Sequence, residues 1–493
     1  MSTDHSGLSE QTVTSSLRRL AGNAASLLTS SALNRATTFV LYALVARYLS
    51  PFEFGQMSLA LTYFYMFQVL AVAGLETLMI RVVANDRART GEYFVSGSLL
   101  VVVFSLLSMS ALFAVLRLLN YSSETAAVIL LLSLGLLPYS LSIVCQTVFQ
   151  AWERMHYIAY ANIPINIAKV GLAFLFLSKG YGLYHLVLLL VASFVAQATL
   201  QGWLMFRYIA KPRLSIDLRL SLWLTRSART FLGIEVVIAL MASLSTVLLS
   251  KLASETEVGF YSAAAQLAVP LHIVYQSIVV SVFPLMCRKF GVSFTALRRI
   301  TQQLTELMLA IALPAAIGLF FLSDFALELL YGSEFRLASS TLRILSWSLI
   351  FSALAVALGQ VLFAGVKERI TLRIVLVNLA VTLVAGFILI SQFGLLGAAL
   401  TALVKSLVDA IQHYASVSRL LAGLSLARLA WKPAVASLCM AVSFIGINAY
   451  GPILAALTAT IVYVAVLLAL MIQSNGGYHR FKGRVAQWYL DGV

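Results

Sequence analysis

The stretch ARYLSPFEFGQMSLA, Ala46–Ala60, decides the fold because the chain contains it twice. Shifted by 204 residues it becomes SKLASETEVGFYSAA, Ser250–Ala264. Each copy is a charged tip between two long apolar runs, which predicts that a whole membrane bundle has been duplicated. Six aligned pairs keep the same or a similar residue: Arg47/Lys251, Ser50/Ser254, Glu53/Glu257, Gly55/Gly259, Ser58/Ser262 and Ala60/Ala264.

The composition indicates an integral membrane protein. Of 493 residues, 61% are hydrophobic and 11% charged, whereas soluble domains carry roughly 25% charged residues. Apolar runs of about 20 residues, each long enough to cross a bilayer as a helix, recur along the chain. They predict an all-α fold of about fourteen transmembrane helices at 25–48, 55–75, 95–117, 125–148, 157–178, 183–206, 230–250, 258–286, 303–323, 339–364, 370–390, 395–418, 431–449 and 453–472.

The basic residues predict the orientation of these helices. With a cytoplasmic N-terminus, 25 of the 34 lysines and arginines fall in inside segments and six fall in outside turns, as the positive-inside rule requires. Both termini are therefore expected in the cytoplasm. The predicted segments are an N-terminal tail (1–24), an N-lobe of helices 1–6 (25–206), a basic cytoplasmic linker (207–229), a C-lobe of helices 7–12 (230–418), helices 13–14 (419–472) and a C-terminal tail (473–493).

A second repeat supports two copies of six helices. Residues 165–183 align with residues 377–395 at an offset of 212, so that Asn166 matches Asn378 and Gly182 matches Gly394. An even number of helices in each copy keeps both in the same orientation. A pseudo-twofold axis along the membrane normal is therefore expected to relate the lobes, with any substrate path between them.

Arg35 and Lys169 are the main candidate site residues. A charge at membrane depth costs about 2.5–3.5 kcal/mol on insertion scales, and neither residue has an acidic neighbour three or four positions away on its own helix. We predict that both face a central cavity and bind an anion, with Asn34 and Asn166 beside them. The alternative is a side chain that extends to the membrane surface or pairs with Glu76 on another helix.

Three further charged residues are candidates for ion coupling or gating, namely Glu76, Lys405 and Asp409. Lys405 and Asp409 lie four residues apart on helix 12, so they are expected to pair with each other; coupling at Asp409 is the alternative. Glu235 is expected near the cytoplasmic interface. Cys145, Cys287 and Cys439 are scattered, and neither a metal site nor a cofactor motif is indicated.

Several motifs together resemble the polysaccharide transporter, or oligosaccharide flippase, family of the multidrug/oligosaccharidyl-lipid/polysaccharide exporter superfamily. They are the Ala46–Ala60 stretch, GLETLMIRVVA at 74–84, EVGFYSAAAQL at 257–267 followed by VFPLM at 282–286, LELLYGSEFRLASSTLRILSW at 327–347, and residues 377–399. The resemblance covers helices 1–12. One departure is Ser245 in helix 7, because many members carry an acidic residue there.

The resemblance implies a V-shaped pair of lobes that moves an undecaprenyl-pyrophosphate-linked oligosaccharide across the bacterial plasma (inner) membrane. Its expected partners are this substrate, membrane lipid, and polysaccharide polymerase and assembly proteins, without nucleic acid. Two other classes are weighed against it. A multidrug or organic-cation antiporter should offer buried carboxylates, which are few here. A membrane-embedded enzyme should have a large outside loop, and the predicted outside turns are short.

Overall fold

The computed structural model describes residues 30, 32–209 and 217–474, and within these ranges the chain is helical with no strand. The predicted tail 1–24, part of the linker and most of the C-terminal tail therefore lie outside the described residues. The long helices are helix 1 (residues 32–48), helix 2 (Pro51–Val72 and Leu75–Asn85), helix 3 (Thr90–Leu118), helix 4 (Ser123–Ser133 and Leu136–Ala151), helix 5 (His156–Ser178), helix 6 (Leu183–Tyr208), helix 7 (Leu218–Leu252), helix 8 (Glu255–Lys289), helix 9 (Phe294–Phe321), helix 10 (Ser339–Ala364), helices 11 and 12 (together Glu368–Leu420), helix 13 (Leu426–Ile447) and helix 14 (Pro452–Ser474). A short helix, Ser323–Tyr331, lies between helices 9 and 10.

The all-α membrane fold predicted from the sequence is confirmed. Twelve helical spans among the described residues are long and apolar enough to cross a membrane. One of these, Glu368–Leu420, contains two helices that meet at Gly394, where φ is 52° and ψ is −124°. Helix 1, with fewer described residues, makes the fourteenth helix.

The helix boundaries repeat with the two offsets found in the sequence. Helices 2 and 3 begin at Pro51 and Thr90, and helices 8 and 9 begin 204 residues later, at Glu255 and Phe294. Helices 5 and 6 run from 156 to 208, and helices 11 and 12 run from 368 to 420, a shift of 212 at both ends. The duplication therefore extends from sequence to helix boundaries.

The chain divides into two compact units, Met1–Val247 and Leu248–Val493. In the first, the start of helix 7 joins the core of the bundle. Leu220, Leu224 and Ala228, spaced four residues apart on one face, pack into a buried cluster with helices 2 to 6. Helix 7 begins at Leu218, twelve residues before the predicted start at 230, because this apolar face continues through the arginine-rich segment.

Helix 2 breaks where it meets helix 7. Ala73 and Gly74 have positive φ values of 54° and 68°, and a Cβ atom on Gly74 would lie 2.5 Å from the backbone nitrogen of Leu232. Only glycine permits both this conformation and this close approach. The break redirects the second half of the helix, which begins at Leu75 and carries Glu76.

In the second unit, helices 13 and 14 pack against helix 9. Lys432 Nζ donates to Glu306 Oε1 at 3.1 Å, and the Tyr463 hydroxyl donates to the carbonyl of Ala310 at 2.6 Å. Phe321 and Phe444 stack with their ring centroids 5.0 Å apart. The two helices that stand outside the repeat are thus fixed by one ion pair, one hydrogen bond and an aromatic contact.

The repeated tip has different capping interactions in its two copies. At the first, Ser50 Oγ accepts from the Glu53 amide at 3.3 Å, and Glu53 Oε2 accepts from the Ser50 amide at 3.1 Å, which completes a capping box. At the second, Ser254 Oγ caps the Glu257 amide at 3.3 Å. The Glu257 carboxylate lies instead beside Gly394, where an added Cβ would be 2.7 Å from Oε2.

Candidate functional site

Arg35 lies on an uncovered part of helix 1. Two turns further along the same face, Tyr42 is buried and packs edge-on against Phe54 of helix 2, with centroids 5.6 Å apart. Arg35 and its neighbour Asn34 are exposed, and within the described ranges no carboxylate pairs with the Arg35 guanidinium. The guanidinium is therefore accessible to an anion.

Lys169 of helix 5 is bonded to a neutral partner. Its Nζ donates to Asn166 Oδ1 at 2.8 Å, and Asn166 is only 9% exposed. None of the ion pairs formed by the described residues includes Lys169. Because its partner is a neutral amide, the half-buried ammonium group is oriented without being neutralised.

Amide side chains of helices 5 and 6 form a row of hydrogen-bonding groups beside this lysine, called below the helix 5–6 ladder. Asn162, Asn166 and Lys169 lie at i, i+4 and i+7 on one face of helix 5. Asn162 Oδ1 accepts from Gln197 Nε2 at 2.7 Å and from Gln201 Nε2 at 2.9 Å, both on helix 6. Sequence reasoning did not select Asn162, Gln197 or Gln201, although the four-residue spacing within each helix was visible in the sequence.

The two cations lie at different depths. Helices 1 and 5 both begin at the predicted cytoplasmic side, and Tyr48 contacts Phe174 with ring centroids 6.3 Å apart, which sets their register. Arg35 precedes Tyr48 by 13 residues and Lys169 precedes Phe174 by five. At about 1.5 Å per residue, the Cα atoms of the two residues are separated by roughly 12 Å along the helix direction, a distance that their long side chains can shorten.

Glu76 is half-buried directly after the break in helix 2. Its carboxylate lies close enough to Tyr139 and Glu235 for electrostatic interaction. The alternative pairing of Glu76 with Arg35 is not formed, and no cation among the described residues forms an ion pair with Glu76. Glu235 lies 17 residues beyond the start of helix 7 at Leu218, and its position near the cytoplasmic interface stays a prediction.

The second unit has a charged version of the helix 5–6 ladder. Asn378 Nδ2 donates to Asp409 Oδ1 at 2.7 Å, and His413 Nδ1 lies 3.1 Å from the same oxygen. At the offset of 212, Asn378, Asp409 and His413 correspond to Asn166, Gln197 and Gln201. Both copies thus join these paired helices through polar side chains at equivalent positions.

The expected ion pair between Lys405 and Asp409 is not formed in the described part of the chain. Lys405 is near enough to Asp409 to interact electrostatically, but the bonded partners of Asp409 are Asn378 and His413. The reason is geometric: the carboxylate turns into the interface with helix 11, where the Asn378 amide is available, whereas the sequence spacing considered only its own helix.

A duplicated bundle of membrane helices with unneutralised charges at depth is typical of a membrane transport protein. Residues 20–290 match the polysaccharide biosynthesis protein family, and because this range is more than half of the chain, the protein belongs to that family. This membership agrees with the resemblance of its motifs to the polysaccharide transporter family.

Two relatives illustrate the family. The chain is 23% identical over 389 residues to the capsular polysaccharide biosynthesis protein CapF of Staphylococcus aureus, covering 76% of this chain and 93% of that protein. It is 23% identical over 341 residues to the probable low-salt glycan biosynthesis flippase Agl15 of Haloferax volcanii, covering 67% and 69%.

Solved structures share the fold. The lipid II flippase MurJ in an inward closed conformation superposes with a TM-score of 0.75 at 14% identity, covering 89% of this chain and 97% of that chain. An inward-facing multidrug resistance MATE family transporter of the MOP superfamily gives 0.66 at 12% identity, covering 80% and 96%. Identities this low show a common fold alone.

Proposed function

We propose that the protein is a flippase for a lipid-linked oligosaccharide, carried on undecaprenyl pyrophosphate across the bacterial plasma membrane for export of a surface polysaccharide. The observation that carries this proposal is the pair of unneutralised cations, Arg35 and Lys169, in one bundle of helices. A pyrophosphate is the anionic group of such a substrate, and cations without a counter-charge attract it. The names of the two relatives agree with this assignment.

The difference in depth suggests how the head group moves. We infer that Arg35, nearer the predicted cytoplasmic side, contacts the pyrophosphate first and that Lys169 receives it about 12 Å further on. The amides of Asn162, Asn166, Gln197 and Gln201 hold the lysine in place and offer hydrogen-bonding groups suited to sugar hydroxyls. Alternating access between the lobes, with both termini in the cytoplasm, completes the proposed mechanism.

The test is complementation of a bacterial strain that lacks its own flippase, with the matching glycan genes present. Arg35→Ala and Lys169→Ala should each lower surface polysaccharide by about tenfold or more, since loss of one charge contact of about 1.4 kcal/mol is a factor of ten. Lys179→Ala is the matched control, because Lys179 is exposed at the end of the same helix. The amount of each variant in the membrane is measured by immunoblot.

Wild-type polysaccharide with either cavity variant would refute the roles of these cations. Accumulation of lipid-linked oligosaccharide in the inner leaflet would distinguish a block in flipping from a block in synthesis.

One observation favours a second candidate, a multidrug or organic-cation antiporter. Glu76 and Glu235 are neighbouring carboxylates within the bundle, and carboxylates are the groups that bind organic cations. If this function is correct, expression should raise resistance to cationic dyes and Glu76→Gln should abolish that resistance. The flippase proposal predicts unchanged resistance in both cases.

A further inference from the structure

A shallow, open depression of about 390 Å³, called the groove below, lies along the exposed side of helix 11. Its lining comes from one face of the helix, at i, i+3, i+4, i+7, i+8 and i+11. The lining residues are Arg369, Leu372, Arg373, Leu376, Val377 and Ala380. The groove thus has two cations at one end and only hydrocarbon along the rest of its length.

The two arginines have no acidic partner within the described ranges. Arg369 and Arg373 are one turn apart on the same face, and both are exposed. Neither forms an ion pair with a described carboxylate, including the adjacent Glu368. They lie at the end of helix 11 that the charge distribution assigns to the cytoplasm, where anionic lipids are concentrated.

The apolar face of helix 11 that includes the groove has the length of one bilayer leaflet. From Leu372 to Ala380 the groove advances eight residues, or about 12 Å, and with Val384 the apolar face reaches about 18 Å, compared with roughly 15 Å for half of a hydrocarbon core. Beyond the groove the same face continues with exposed Val384 and Phe387. An acyl chain can therefore follow the helix while its head group stays at the arginines.

We propose that helix 11 binds an anionic phospholipid of the cytoplasmic leaflet. Arg369 and Arg373 hold the phosphate by charge-assisted hydrogen bonds, and Leu372, Leu376, Val377 and Ala380 contact an acyl chain. The groove has no hydroxyl, amide or aromatic side chain that could hydrogen-bond or stack on a sugar, which favours a membrane phospholipid over the lipid-linked oligosaccharide.

The duplication makes this site specific to one copy. At the offset of 212, Arg369 corresponds to Tyr157 and Leu372 corresponds to Tyr160 on helix 5, and Arg373 corresponds to Ala161. The corresponding face of helix 5 therefore lacks both cations. The site is independent of the proposed flippase function and can be tested without knowing the glycan.

The test uses full-length protein reconstituted in nanodiscs of phosphatidylglycerol and phosphatidylcholine. Lipid that stays bound after transfer to detergent is measured by native mass spectrometry. Wild type should retain phosphatidylglycerol, and Arg369→Gln with Arg373→Gln should weaken retention about thirtyfold, from about 1 kcal/mol, or roughly fivefold, for each basic residue near the surface. Ala380→Trp, which fills the groove and leaves both arginines, should also reduce retention.

The matched control is Arg207→Gln with Arg419→Gln, two exposed arginines at the same predicted surface. It removes equal charge away from the groove and should reduce retention much less than the groove variant. Retention in the double groove variant equal to wild type, or equal loss in the control, would overturn the site. Retention of added undecaprenyl phosphate in preference to phosphatidylglycerol would overturn the phospholipid assignment and identify the substrate lipid as the occupant.

Discussion

Lys169 has a neutral hydrogen-bond partner, and this determines whether its side chain can bind an anion. An ammonium beside a carboxylate would form a closed ion pair, whereas the Asn166 amide, at 2.8 Å, supplies no opposing charge. Rare charges in apolar runs made Arg35 and Lys169 visible in the sequence. The partners Asn162, Gln197 and Gln201 were not visible, because which helices pair is a tertiary property that hydrophobic periodicity does not contain.

Asn166→Asp tests this interpretation with almost no change in size. The new carboxylate would lie within hydrogen-bond distance of Lys169 and neutralise it, so surface polysaccharide in the complementation strain should fall about tenfold or more, as for Lys169→Ala. Asn166→Leu removes the hydrogen bond but leaves the cation, and should lose less. If the leucine variant is the more damaging of the two, the role of Asn166 is structural rather than electrostatic.

Helices 2 and 8 begin at the repeated tip, and their differing caps show how one motif acquires two roles. Glu53 closes its own capping box, whereas Glu257 lies against the turn between helices 11 and 12, with a buried Oε2 atom that has no hydrogen-bond partner among the described residues. The Glu257 carboxylate can approach Gly394 this closely because glycine has no side chain. The sequence showed that Gly182 and Gly394 occupy matching positions in the two copies. It did not predict that Glu257 lies against Gly394.

Gly394→Ala should destabilise the protein, whereas Gly182→Ala, the equivalent change in the first copy, should not. At Gly394 a methyl group meets both a φ of 52° and the Glu257 carboxylate, so we expect a loss of about 1–3 kcal/mol in unfolding free energy. Gly182→Ala is the control, since φ there is −81° and an added Cβ meets open space. Thermal unfolding in detergent measures both.

Equal shifts in Tm for the two alanine variants would contradict this account. Combining Gly394→Ala with Glu257→Ala separates the two causes, because it relieves the contact but not the backbone strain.

The positions of the helices were predictable because a long apolar run is recognisable even when its first and last residues are uncertain. The breaks in helices 2 and 4 were not. Ala73 adopts a positive φ, which an alanine in the sequence does not predict. The break is stabilised by the close approach of Gly74 to helix 7. The early start of helix 7 was hidden by its arginines, although Leu220 and Leu224 already had helical spacing.

At the scale of the whole molecule, helices 13 and 14 are additions to a duplicated core. The sequence placed them outside the repeat but could not say where they pack. Their ion pair with helix 9 is mostly shielded, since the side chains of Lys432 and Glu306 are only 17% and 25% exposed. Because the pair lies in a membrane bundle, removal of one charged side chain would leave the other without a counter-charge.

Lys432→Met should leave Glu306 without a partner in the bundle, and we expect a loss of about 3–5 kcal/mol in stability, the usual result when one member of a buried pair is removed. Lys432→Met with Glu306→Leu should recover most of that loss, because neither charge remains. Unfolding temperatures of the single and double variants provide the measurement. A double variant no more stable than the single one would show that the pair contributes little.

Helix 7 opens the second copy of the repeat by sequence, yet by packing its first half completes the first unit, with Leu232 against Gly74. The boundary between the two sequence copies and the boundary between the two compact units therefore fall at different places, before helix 7 and within it. A first half expressed without helix 7 would leave the surface at Gly74 uncovered, although it would contain one complete copy of the repeat.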